Sequence, residues 1–204
     1  MSLSAAALMT PGVLAEELAR TAAQTEGPFY PDKLPLDTDN DLLVINDGIT
    51  PAVGDVAYLS GRVLDAKSKP IIGAVVEIWQ CDSNGVYLHT GDSGRKKDRQ
   101  DTNFQGFGRF MTGSSGEYLF RTIKPVPYPR RTPHIHFKVR RGGRELLTTQ
   151  CYIRGHELNH RDGIYRRTGA AAETLLVDFK PVKDSKVREF AAKFDIVLGL
   201  TPAE

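Results

Sequence analysis

VAYLSGRVLDAKSKPIIGAVVEIWQC, residues 56–81, decides the fold. Two runs rich in β-branched and aromatic residues, 56–66 and 71–81, flank the polar break KSKP. That texture fits strands, and the break suggests antiparallel neighbours. A DSNG turn follows at 82–85. Further along, GEYLFRTI (116–123) reads as another strand. HIHFKVRR (134–141), a GGR turn and ELLTTQCYI (145–153) read as a hairpin. TLLVDFKPV (174–182) and KFDIVLGL (193–200) supply further strands, with DSKVREFAA (184–192) between them as a short helix.

Residues 25–55 are rich in Pro, Asp and Gly and read as an extended arm with turns. Residues 89–116 are polar and glycine-rich, a stretch of loops. KPVPYPRRTP (124–133) holds four prolines and is stiff and irregular. Short strands, frequent turns and little helix predict an all-β protein: an antiparallel β-sandwich with an N-terminal arm and long irregular loops. The domain spans 25–204, preceded by an extension over 1–24. That Ala-rich extension fits either the remnant of an export signal or an amphipathic helix carrying Leu14, Glu16, Glu17, Leu18 and Arg20.

The chain has 204 residues, 40% apolar and 25% charged, with a formal charge of +2. That is ample for a core, and nothing global points to nucleic acid or a membrane surface as partner. No segment approaches the length of a membrane span. Exposed sandwich faces and the arm suit a homo-oligomer. Cys81 and Cys151 share no metal-binding spacing and lie in apolar, strand-like runs, where two buried thiols are expected.

RTPHIHFKV (131–139) raises the question of function. On a strand, side chains alternate between faces, so His134 and His136 share one face with Cα atoms about 6.5–7 Å apart. Both imidazoles can reach one metal ion at that separation. No cysteine or carboxylate lies nearby in a recognisable pattern, but tyrosines do: Tyr128 in the proline-rich segment and Tyr87 after the DSNG turn. A phenol with a reference pKa near 10 ionises at neutral pH only beside a strong Lewis acid, and a hard trivalent ion such as Fe(III) is one. Zn(II) sites use His, Cys and carboxylate instead. HELNH (156–160) matches the H-E-x-x-H zinc pattern, but Gly155 precedes it, RDG follows it, and the helix that the pattern requires is missing. A loop is expected there.

WQCDSNGVY (79–87), FRTIKPVPYP (120–129), RTPHIHF (131–137) and TTQCYIRG (148–155) follow in the order and texture of the intradiol ring-cleavage dioxygenases, which include the protocatechuate 3,4- and catechol 1,2-dioxygenases. The resemblance covers about residues 24–200. It implies one non-haem Fe(III) per chain held by Tyr87, Tyr128, His134 and His136. It implies a catechol-type substrate that binds through both oxygens and displaces Tyr128, and O2 inserted between the two hydroxylated carbons to give a muconate-type diacid. Arg131 matches the family's arginine, a fixed cation for charge developing on the ring. Gln150 matches its glutamine, bonding Arg131 or substrate. TEGPFYP (25–31) resembles the arm at the pocket mouth, which makes Gly27, Pro28 and Tyr30 substrate-binding candidates beside Arg130 and Arg131. Only Pro129 and Arg130 separate Tyr128 from Arg131, a much shorter loop than the family pattern, and Arg130 stands where protocatechuate enzymes place an aromatic. A ring carboxylate paired with Arg130, a plain catechol and a hydroxyquinol are all open at this point. GRVLDAKSKPIIGAVVEIW also resembles transthyretin-like binding modules, a non-catalytic alternative that needs neither tyrosine nor the paired histidines.

Overall fold

A computed structural model describes residues 17–46 and 48–199. It contains ten strands, β1 (Val56–Asp65), β2 (Val75–Trp79), β3 (Phe107–Met111), β4 (Glu117–Ile123), β5 (His134–Arg141), β6 (Arg144–Ile153), β7 (Leu176–Val177), β8 (Lys180–Pro181), β9 (Glu189–Lys193) and β10 (Ile196–Leu198). Two short helices, α1 (Thr90–Ser93) and α2 (Gly163–Arg167), sit in the loops. One sheet orders β3-β2-β5-β6-β7; in the other, β1 is flanked by β4 on one side and by β9 and β10 on the other.

The sandwich expectation holds, with two corrections to its wiring. The runs at 56–66 and 71–81 pair only at their ends, where KSKP turns the chain back and the Ile71 N–H bonds the Val63 carbonyl. The chain crosses between layers after Ile71, so β1 and β2 belong to opposite sheets. The sheets are also mixed: β9 and β10 run parallel to β1, and β7 runs parallel to β6. DSKVREFAA is not a helix, because Glu189–Lys193 pairs with Val56–Ser60 as strand β9. Long-range pairing overrides the helix preference of its alanines. Within the expected loop at 89–116, Phe107–Met111 forms β3 against β2. The 134–153 hairpin is as expected, with His136 opposite Gln150.

Alternation builds the core. Ala57, Leu59 and Val63 of β1, Tyr118 and Phe120 of β4, Val76 and Ile78 of β2, and Ile135, Phe137 and Val139 of β5 interdigitate between the sheets. Burying side chains of this size contributes about 1.5–3 kcal/mol each. Gly61 lies where β1 exchanges one neighbour, β9, for another, β10; a Cβ there would stand 1.9 Å from the Phe194 carbonyl oxygen.

The opposite face of the β2-β5-β6 sheet is also covered, by the arm. Leu18, Thr21 and Gln24 donate backbone N–H bonds to Ala66, Val197 and Thr148, and residues 17–24 form no helix. The remainder of the expected N-terminal segment, 1–16, lies outside the described residues. Gln150 donates to the Thr25 carbonyl (2.8 Å), Lys138 pairs with Glu26, and the Tyr30 hydroxyl donates to Glu77 (3.0 Å). This arm seals in the polar face of β5, which is why six consecutive residues of β5, His134–Val139, are buried. Cys81 and Cys151 are free and buried, as expected.

Candidate metal centre

Register places the centre. Trp79 pairs with His136 across β2-β5, and His136 with Gln150 across β5-β6, so all three share the arm-covered face. Tyr87 arrives on a loop braced by Asp82. That carboxylate accepts backbone N–H bonds from Asn84 and Val86 (both 2.9 Å) and from Asp101 (2.7 Å). Asp92 accepts the Tyr87 N–H at 2.9 Å. Tyr128 begins a tight turn closed by the Arg131 N–H bonded to its carbonyl at 2.9 Å.

The four expected ligands converge. His134 Nε2 lies 3.2 Å from His136 Nε2 and 3.3 Å from Tyr87 Oη. Tyr128 packs tilted against His134 and edge-on to Tyr87, with ring centroids 5.6 and 5.4 Å apart. His134 Nδ1–H donates to the Thr132 carbonyl at 2.6 Å, which aims the Nε2 lone pair at the cluster. Burial, helped by Arg131, pushes the His134 pKa down to about 3; burial, then His134, holds His136 well below its ordinary value. Both imidazoles are therefore neutral, the form that binds metal. Burial raises both phenols, Tyr87 strongly, and Arg131 partly opposes the rise at Tyr128. Two neutral imidazole nitrogens and two phenol oxygens thus gather in a buried space, a donor set that suits hard Fe(III). Among the described residues no group of three or more His, Cys, Asp and Glu is placed to hold a metal ion. HELNH is a loop ending in a 3₁₀ turn (Asn159–Arg161), with His156 Nδ1 accepting from the Leu158 N–H.

Arg131 is fixed on three sides. It donates through Nε to Asp162 Oδ2 (2.7 Å), through Nη2 to Gln150 Oε1 (2.6 Å) and through Nη1 to Tyr128 Oη (3.3 Å). Gln150 thus bonds Arg131, the first of its two expected roles. Asp162 was not singled out in the sequence. It is buried, caps α2 by accepting from Ile164 and Tyr165, and also accepts the Thr132 N–H. Burial disfavours its charge, yet Arg131 and these N–H donors outweigh that and hold its pKa below the usual carboxylate range. Its only sequence signal is an N-cap acid before GIYRR.

The arm residues divide. Gly27 comes close enough to His136 that a Cβ would lie 3.5 Å from Cε1. Pro28 is exposed. Tyr30 turns away to Glu77 and Trp79, whereas Phe29 stacks on Tyr87 at 5.0 Å and meets Tyr128 edge-on. Arg130 and Arg131 line a cleft of about 490 Å³ with Tyr128, Leu158, Arg161 and Asp162.

A family model described as "Dioxygenase" matches residues 25–199. The chain is 36% identical over 184 residues to the protocatechuate 3,4-dioxygenase beta chain of Burkholderia cepacia, covering 83% of this chain and 76% of that one. The chain belongs to the intradiol ring-cleavage dioxygenases. To the Candida albicans catechol 1,2-dioxygenase it is 27% identical over 201 residues, covering 90% of this chain and 62% of the relative. It spans 55% of the Nocardioides simplex hydroxyquinol 1,2-dioxygenase, also at 27% identity and over 83% of this chain. Among solved structures it resembles the dioxygenase domain of a dioxygenase carbohydrate-binding protein fusion from Streptomyces sp. SirexAA-E (TM-score 0.66, 30% identity, 89% of this chain and 99% of that one). An intradiol ring-cleavage dioxygenase from Tetranychus urticae shares the fold (TM-score 0.68, 19% identity, 92% and 98%). Intradiol dioxygenases are oxidoreductases that open catechol-type rings with O2 and use non-haem Fe(III). These likenesses lend nothing to the non-catalytic binding-module alternative.

Proposed function

We propose that this chain holds one Fe(III) through Tyr87, Tyr128, His134 and His136 and cleaves a catechol between its two hydroxylated carbons. The observation that carries the reading is His134 Nε2, which lies 3.2 Å from His136 Nε2 and 3.3 Å from the Tyr87 hydroxyl among buried side chains. Bound there, ferric iron supplies the Lewis acidity that ionises phenols and draws electron density from the ring. Both atoms of O2 enter the product and one carbon–carbon bond breaks, so no external reductant is needed.

The chain's own residues divide the work. Tyr87 is buried and does not line the cleft, so it is the ligand that stays in place. Tyr128 is half-buried and lines the cleft, so it is the ligand that can give way and take a proton from an arriving catechol hydroxyl. Arg131, 3.3 Å from Tyr128 Oη, is the preorganised cation for negative charge on the ring. Asp162 and Gln150 hold that guanidinium in place. Gly27, Pro28 and Phe29 close the arm side.

The test is a visible spectrum with iron analysis, followed by oxygen uptake against a panel of catechols. The reading requires a red-brown protein with about stoichiometric iron and one O2 consumed per ring opened. A colourless protein that takes up no iron when ferric salt is supplied, and consumes no O2, overturns it.

A further inference from the structure

We infer that the cleft beside Tyr128 selects catechols bearing an anionic ring substituent, a carboxylate above all, through Arg130 and Arg161. This rests on the ring-cleavage reading and adds the substrate class.

The first observation is conformational. Tyr128-Pro129-Arg130-Arg131 is a four-residue turn closed by the Arg131 N–H to Tyr128 carbonyl bond, with Arg130 at φ +68°. Proline at the second position and a positive φ at the third define a type II turn, whose third position favours glycine or asparagine. A long side chain held there in the left-handed region is strained, and strain of this kind collects at functional sites. Arg130 makes no hydrogen bond, ion pair or ring contact with any described residue. Arg130 is exposed and lines the cleft.

The second observation is charge. Arg130, Arg131 and Arg161 line the cleft with a single acid, Asp162. The Asp162 carboxylate is already consumed by Arg131. Arg161 is exposed, and its one side-chain partner is the neighbouring His160 ring. Two cations that pair with no acid among the described residues therefore remain, on the same cleft as the ligand that gives way. A guanidinium pairs with a carboxylate through two parallel bonds, which orients as well as attracts. At about 490 Å³ the cleft has the size of a small-molecule site and holds more than a bare ring.

The test compares kcat/KM for 3,4-dihydroxybenzoate, 3,4-dihydroxyphenylacetate and unsubstituted catechol, using the iron-loaded full chain and its Arg130→Gly and Arg161→Gln variants. Wild type should prefer the carboxylated rings. Each variant should lower the carboxylated-to-neutral ratio about tenfold, chiefly through KM, as loss of a hydrogen bond to a charged group does. Whichever carboxylate loses more identifies the reach of the pocket. Added salt should raise KM for the carboxylated rings more than for catechol. Because glycine suits the turn, Arg130→Gly should unfold at or above the wild-type temperature, which separates lost recognition from lost fold. An iron-loaded wild type that cleaves catechol as well as the carboxylated rings, or variants with unchanged ratios, overturns the inference and leaves ring cleavage standing. Cleavage of none of the three overturns the ring-cleavage reading itself.

Discussion

The indole of Trp79 lies flat against the imidazole of His136, with ring centroids 4.7 Å apart and planes 11° from parallel. A metal-ligating histidine normally fixes its ring by donating the second N–H to an acceptor. His134 does so to Thr132, but His136 Nδ1 is buried with no protein partner. Stacking on Trp79 does the orienting instead. Trp79→Leu should therefore release iron to a chelator about tenfold faster than wild type, in line with losing a ligand-orienting contact. Trp79→Phe, which keeps an aromatic face, should fall between the two. Identical release from all three proteins would show that the stack is packing alone.

Tyr87→Phe and His136→Ala remove one proposed ligand each. Both should lose iron, colour and oxygen uptake with catechols, while circular dichroism keeps the β signature, because the larger apolar cluster, with Ile135, Phe137 and Val139, lies on the other face of β5. Full activity in both variants would refute the ligand assignment. Wild type stripped by a chelator should likewise stay folded and regain colour with ferric salt.

Asp162 and Arg131 form a buried pair. Removing one partner from such a pair costs about 3–5 kcal/mol, so Asp162→Ala should unfold well below wild type and lose kcat as Arg131 goes slack. The sign of the pH effect follows from a folded-state pKa below the ordinary carboxylate value. Its contribution is complete above the unfolded value near 3.9 and fades as pH falls through the lower folded one. The stability gap between wild type and Asp162→Asn should hold steady from about pH 7 to 5 and narrow below about pH 4. Denaturant titrations across that range measure it, and a gap that instead widens toward acid contradicts the pairing.

Gly61 admits no side chain, because β-carbon and Phe194 carbonyl would overlap. Gly61→Ala should cost about 3 kcal/mol, read as a lower urea midpoint with unchanged slope. A wild-type midpoint would mean that the β9–β10 crossing can move aside.

Period-two alternation in HIHFKV put both histidines on one face and Ile135, Phe137 and Val139 on the other, and that needs only the stereochemistry of a strand. The hairpin at 134–153 and the buried thiols were legible for the same reason: their signals lie in neighbouring residues. Tyr87 and Tyr128 were legible through motif order; their meeting at the histidines depends on loops folded from separate sheets. What stayed hidden depends on distant partners. β9 reads as helix until β1 pairs with it. β3 reads as loop because glycines interrupt its alternation. Asp162 lies 31 residues from Arg131, and no local pattern links them. Phe29 and Tyr30 are adjacent aromatics, and only the path of the arm across the sheet decides which one faces the centre. The sequence by itself determined the faces of each strand and the donor chemistry of the site, because these are set by bonds along the chain. Only the tertiary structure decided which elements meet, because contact between distant segments depends on how the whole chain packs.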